Sequence, residues 1–112
     1  MELGECEEFV QRATARFREF AAAHGYVFEG HTKSYFWIRH PGRTEVFQGN
    51  YVTSWLRGFM HHLTAADLQR LRFVQSYRDH CREFPDDGWQ FRVATEEDIK
   101  AVMEIILARC GS

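Results

Sequence analysis

Cysteine is scarce in this chain and odd in number. The three thiols, Cys6, Cys81 and Cys110, form no CxxC, and an odd number cannot close a complete intramolecular framework. This excludes a disulfide scaffold and points to a reducing compartment. Long apolar runs are absent as well: nothing approaches the roughly 18 residues of a membrane span. The N-terminus MELGECEEF is acidic where a secretory signal is basic and then apolar. The sequence therefore predicts a cytoplasmic protein with no membrane contact. Lysine is nearly missing, two residues against twelve arginines, a ratio that genome composition explains as readily as a preference for bidentate recognition. There is no Gly-rich phosphate loop, no Ser-His-Asp order and no HExxH. Repeats, low-complexity stretches and linkers are also lacking, so residues 1–112 read as a single domain, a length sufficient to bury one core.

Aromatic residues are abundant, with ten Phe, four Tyr and three Trp. Each can bury a large area, so an aromatic core needs no metal or cofactor to hold it. Charge is segregated. Residues 31–72 carry Lys33, Arg39, Arg43, Arg57, Arg70 and Arg72 against Glu45 and Asp67, a local balance of +4 inside a chain of net charge −2. Within this basic middle, HTKSYFWIRHPGRTEVFQGNYVTSWLRGFMHH interleaves cations, histidines and aromatics. Such an asymmetry is an argument about partners and not about fold.

Hydrophobic periodicity predicts an α+β domain. Cys6, Phe9, Val10, Ala13, Phe17, Phe20 and Ala21 recur at helical spacing over residues 5–24, and Gly25 stops the helix. Residues 26–29, 34–40 and 45–47 are short, aromatic and β-branched, and the turns at Gly30 and Pro41-Gly42 separate them into strands. In the middle strand Tyr35, Trp37 and Arg39 share one face while Phe36 and Ile38 share the other, the better core candidate. From Val52 the pattern returns to helical, with Val52, Trp55, Leu56, Phe59, Met60 and Leu63 on one stripe. Gly58 counts against this helix. Thr64 with Asp67 forms a capping-box pattern for a helix to about Phe84, with Phe73, Val74, Tyr77, Cys81 and Phe84 together. Trp89, Phe91 and Val93 alternate with Gln90 and Arg92 as in a half-buried strand, and Thr95 with Asp98 caps a last helix. The expected order is αβββααβα, a mainly antiparallel sheet of about four strands covered by helices.

Candidate chemistry is sparse. Zinc sites need converging ligands, whereas His61-His62 and His80-Cys81 are adjacent residues that point to different helix faces, so no metal site is expected. Cys6 lies among glutamates, Cys110 ends a helix and Cys81 falls on an apolar stripe, so none suits a nucleophilic thiolate. Glu96, Glu97 and Asp98 complement a helix N-terminus and diverge too far to act as paired catalytic carboxylates. No catalytic residue is assigned. What remains is binding. Lys33, Arg39, Arg43 and Arg57 can neutralise phosphates while Tyr35 or Trp37 stacks an unpaired base, with His61 nearby. The competing account has the aromatics in the core and the arginines as solvated surface. A second functional reading is a protein interface, by self-association or as an inhibitor or adaptor, through Phe73, Tyr77, Phe84 and Ile105, the last lying off the seam of its helix.

Over residues 9–59 the layout also resembles a known family. An amphipathic helix, AHGYVFEG and KSYFWIRHPGRTEVF, with Gly25-Tyr26 at the helix exit, Ser34 opening the second strand and His40-Pro41-Gly42-Arg43 in the hairpin, is similar to HicA-type mRNA interferase toxins. The resemblance implies a double-stranded-RNA-binding-like fold and RNA as the partner. That family uses a histidine in a Gly-Ser-His at the start of the second strand, whereas this chain has Lys33-Ser34-Tyr35. The resemblance therefore implies RNA or DNA binding without the catalytic histidine, with a divergent ribonuclease as the remaining enzymatic alternative.

Overall fold

The computed structural model describes residues 1–30, 34–42, 45–76 and 88–110. A short 3-10 turn at Leu3–Glu5 leads into helix α1 (Glu8–Ala23), whose Val10, Ala13, Phe17, Phe20 and Ala21 form one buried stripe. The stripe follows the expected periodicity. Gly25 ends α1 as anticipated: at φ +72° it accepts the left-handed conformation, and the N–H groups of Gly25 and Tyr26 reach back to the carbonyls of Ala22 and Ala21.

Six strands follow: β1 (Val27–Glu29), β2 (Tyr35–Arg39), β3 (Glu45–Tyr51), β4 (Leu56–His61), β5 (Arg72–Ser76) and β6 (Gly88–Val93). They pair in one antiparallel sheet of order β1-β2-β3-β4-β6-β5. Helix α2 (Ala65–Gln69) lies between β4 and β5, and α3 (Glu96–Cys110) closes the described chain. The class is α+β with an antiparallel sheet, as expected.

The number of strands and the order of elements differ from expectation in two places. The helix expected over 52–63 is strand β4. Its apolar residues fit a helical stripe, but Leu56, Gly58 and Met60 also alternate with Arg57, Phe59 and His61, and pairing with β3 and β6 on both sides selects the two-residue period. The helix expected over 64–84 stops after Gln69. Its capping box forms, with the Asp67 N–H donating to Thr64 Oγ1 and the Thr64 N–H to Asp67 Oδ2, both at 3.1 Å. The chain then turns at Leu71 into β5, where Phe73 adopts a left-handed φ of +52° that no helix continues through. Residues 77–84 of that expected helix, including Tyr77, Cys81 and Phe84, lie outside the described residues.

Both long helices pack on the same face of the sheet. Phe17 of α1 stacks on Phe47 with ring centroids 4.9 Å apart and tilts against Phe36 at 5.9 Å. Ile99, Val102, Ile105 and Ile106 of α3 join the same core as Leu56, Met60, Phe91 and Val93. Two glycines make this face possible. Gly49 and Gly58 are register partners on β3 and β4, flanked by Phe36 on β2 and Phe91 on β6. A Cβ on Gly49 would meet the Phe36 ring at 2.7 Å, and one on Gly58 would meet the Phe91 ring at 2.4 Å. The two rings therefore lean inward over bare backbone, and the glycines serve packing.

Candidate functional site

The opposite face of the sheet is built by the alternate residues of the same strands. Register aligns them in two rows running across the strands. One row runs Glu29, Trp37, Gln48, Phe59, Gln90 and Gln75; the other runs Tyr35, Asn50, Arg57, Arg92 and Arg72. Aromatic rings, amides and guanidinium groups thus share one surface. The Tyr35 and Trp37 rings neighbour each other along β2, 5.3 Å apart and tilted, and Gln48 Nε2 donates to Asn50 Oδ1 at 2.8 Å.

The candidate residues fall into three groups. Tyr35, Trp37, Arg39, Arg57 and His61 all lie on this outward face, the first two half-buried and the others exposed. Arg57 and His61 reach it from strand β4 and not from a helix. Arg39 donates to the Glu29 carboxylate, so its charge is locally neutralised. Lys33 and Arg43 lie outside the described residues. Of the proposed protein interface, Tyr77 and Phe84 also lie outside them, and Ile105 is a core residue, 2% exposed. The reason is that α3 has a broad apolar side of Ile99, Val102, Ile105 and Ile106 against the sheet, leaving Glu96, Glu97, Lys100, Glu104 and Ala108 to solvent. Phe73 is the fourth of that set. It is 69% exposed, but it stands beside Arg92 on the outward side of the sheet rather than on a helix.

Three residues outside the sequence-derived set complete the surface. Trp55, expected in the core, precedes β4 half-exposed, and the guanidinium groups of Arg92 and Arg57 lie 4.3 and 5.5 Å from its ring centroid. Phe59, also expected inside, points outward on β4. Arg92 lies over both the Trp55 and Phe73 rings, 4.5 Å from the centroid of the latter. The alternation of Gln90 and Arg92 with Phe91 and Val93 already carried the signal for Arg92. The apolar residues of β4 also fit a helical stripe, which conceals the strand beside which Arg92 lies.

A cleft of about 360 Å³ opens where β4, β6 and β5 meet, lined by Trp55, Arg57, Phe73, Gln75, Gln90 and Arg92 among others. Gln90 Nε2 donates to Gln75 Oε1 at 2.6 Å between two of these lining residues. Among the described residues no group of three or more His, Cys, Asp or Glu side chains converges to hold a metal, and no helix is long and apolar enough to cross a membrane. Searches of known protein families, curated proteins and solved structures return no match to the chain.

Proposed function

We propose that the protein is a non-catalytic module that binds single-stranded nucleic acid, RNA or DNA, across the outward face of its sheet. The observation that carries this reading is the outward alternation of Tyr35 and Trp37 on β2, in register with Asn50 and Gln48 on β3 and with Arg57 and Phe59 on β4. Unpaired bases stack on aromatic faces, amides read base edges, and guanidinium groups meet phosphates. A sheet with its helices on one side offers these groups on the other in a regular spacing. The net charge of −2 confines the attraction to this surface and makes it dependent on salt.

Titration of short single- and double-stranded RNA and DNA at low salt tests the reading. Single strands are expected to bind more tightly than duplexes. Tyr35→Ala is expected to weaken binding by the worth of one stacked base, about 1 to 3 kcal/mol. Alanine at Lys33 and Arg43 should lower the salt slope if those cations contact phosphates. Absence of binding at low salt, or binding indifferent to Tyr35, rejects the proposal. Shortening of labelled RNA in the same mixtures would favour a divergent ribonuclease instead.

A further inference from the structure

Of the nine described arginines, Arg18 lies over the Phe28 ring and Arg109 donates to the His61 carbonyl; the other seven divide by whether a carboxylate meets them. Arg12, Arg16, Arg39, Arg70 and Arg72 each pair with a carboxylate, on Glu8, Glu96, Glu29, Glu104 and Asp98 respectively. Arg57 and Arg92 do not: among the described residues no carboxylate lies within ion-pair distance of either, and both lie over aromatic rings. They are also direct register partners across β4 and β6. Like charges placed opposite each other in a sheet repel.

The surroundings of Arg92 are aromatic rather than acidic. Its guanidinium carbon lies over both the Trp55 and the Phe73 rings, 4.3 and 4.5 Å from their centroids. A guanidinium group packed over rings keeps N–H donors around its edge, in its own plane, which is the geometry that grips an oxyanion. Phe73 is held there at a cost. It is a non-glycine residue at φ +52°, at an irregularity in the β5–β6 register, with its ring 69% exposed. A strained backbone that keeps an apolar ring in water against a guanidinium group points to a purpose at that spot. The cleft lining has amide groups from Gln75 and Gln90 and no carboxylate. Its volume, about 360 Å³, is at the lower end of the range for small-ligand pockets, about 300–1,000 Å³.

We infer that Arg57 and Arg92, splinted by Trp55 and Phe73, form a phosphate clamp. Its occupant is a phosphate group of a nucleic-acid strand lying on the sheet, an assignment that rests on the function proposed above. The phosphate oxygens accept from the edges of both guanidinium groups, which removes their mutual repulsion. Bases on one side of that phosphate then run toward Phe59, Trp37 and Tyr35. A backbone diester and a terminal monoester share this chemistry.

Isotope-labelled protein titrated with three probes distinguishes the cases: a short oligothymidylate with hydroxyl ends, adenosine 5′-monophosphate, and adenosine. The Nε–H resonances of Arg57 and Arg92 are expected to shift with the first two and to stay in place with adenosine. A shift with the oligonucleotide alone identifies the diester, and one with the mononucleotide alone identifies the terminal group. Arg92→Gln should weaken oligonucleotide binding by about tenfold and reduce the salt slope by about one. Phe73→Ala removes only an exposed ring and should weaken binding in the same direction, so the test survives if the Arg92 variant folds poorly. The clamp is overturned if the oligonucleotide binds with its Tyr35 dependence intact while both arginine resonances stay fixed and both variants bind as the wild type does. If the mononucleotide shifts the arginines and no strand binds, the clamp stands and the nucleic-acid reading falls. Silence of the arginines toward every probe overturns the clamp.

Discussion

Gly58 shows how much of this fold turns on single atoms. It faces the core on β4, and the Phe91 ring occupies the space where a side chain would begin, 2.4 Å from an added Cβ. Gly58→Ala must push that ring toward Phe47, whose centroid is 6.3 Å away, within an already filled core. Overpacking of this kind costs about 1–3 kcal/mol, and the urea midpoint should fall accordingly. Gly30→Ala is the control, since a Cβ there would meet only Phe28, at an ordinary 3.7 Å. Adding Phe91→Leu to Gly58→Ala should recover part of the loss, and equal midpoints for Gly58→Ala and wild type would remove the packing argument. At this scale the sequence was legible for residues with one plausible environment. Phe36, Ile38 and Leu56 are inside as expected, and Tyr35, Trp37 and Arg39 face outward. Trp55 and Phe59 were not legible, because a large aromatic serves equally in a core and on a platform and only the neighbouring strands decide.

Elements were legible where their ends carried their own chemistry. Helix α1 is closed by Gly25, and α3 is opened by Thr95 and Asp98 as its sequence suggests, with the Asp98 N–H donating to Thr95 Oγ1 at 3.2 Å. Strand β4 and the short α2 were not legible, since six residues that fit both periods take the one their neighbours impose, and a capping box starts a helix without setting its length. The Asp98 corner joins these elements. Its buried carboxylate accepts from the backbone N–H groups of Ala94 and Thr95 at 2.9 and 3.0 Å and from Arg72 Nε on β5 at 3.2 Å. It thus ties the edge strand to the β6–α3 turn. Asp98→Ala strips these donors of their partner and is expected to cost about 1–3 kcal/mol. Arg72→Ala should cost much less, because Asp98 keeps both amide donors and the Arg72 side chain is 56% exposed. Thermal melts of the two variants check the order, and a larger loss for Arg72→Ala would contradict the corner's hierarchy.

For the whole molecule, the linear charge count proved a poor guide to the surface. The basic middle and acidic flanks fold against each other, and Arg39, Arg70 and Arg72 are paired by Glu29, Glu104 and Asp98 of those flanks. Among the described residues, Arg57 from the middle and Arg92 from a flank face each other across the sheet with no carboxylate within ion-pair distance, a pairing that only the β4–β6 register brings about. The N-terminal segment is held by uncharged contacts instead, one to the β3–β4 turn and one within itself. The Glu7 N–H donates to the Thr53 carbonyl at 2.8 Å, and the Cys6 thiol, buried, donates to the Glu2 carbonyl at 3.5 Å. Burial raises the Cys6 pKa, against the opposing pull of the N-terminal ammonium and with a further push from Glu5. Burial likewise raises the pKa of Tyr51, whose ring lies 6.0 Å from Phe36, with Arg18 pulling it down and Cys6 pushing it up. Both groups prefer to stay protonated in the folded chain, while the unfolded chain releases their protons at ordinary values, about 8.5 for the thiol and about 10 for the phenol. Stability should therefore hold through neutral pH and decline from about pH 9 upward, as the unfolded state gains by ionising first. Urea midpoints measured from neutral to alkaline pH should show this fall, and Cys6→Ala and Tyr51→Phe should each flatten it. A midpoint that falls as steeply in the double variant as in the wild type would place the alkaline sensitivity elsewhere in the chain and detach it from the burial of these two groups.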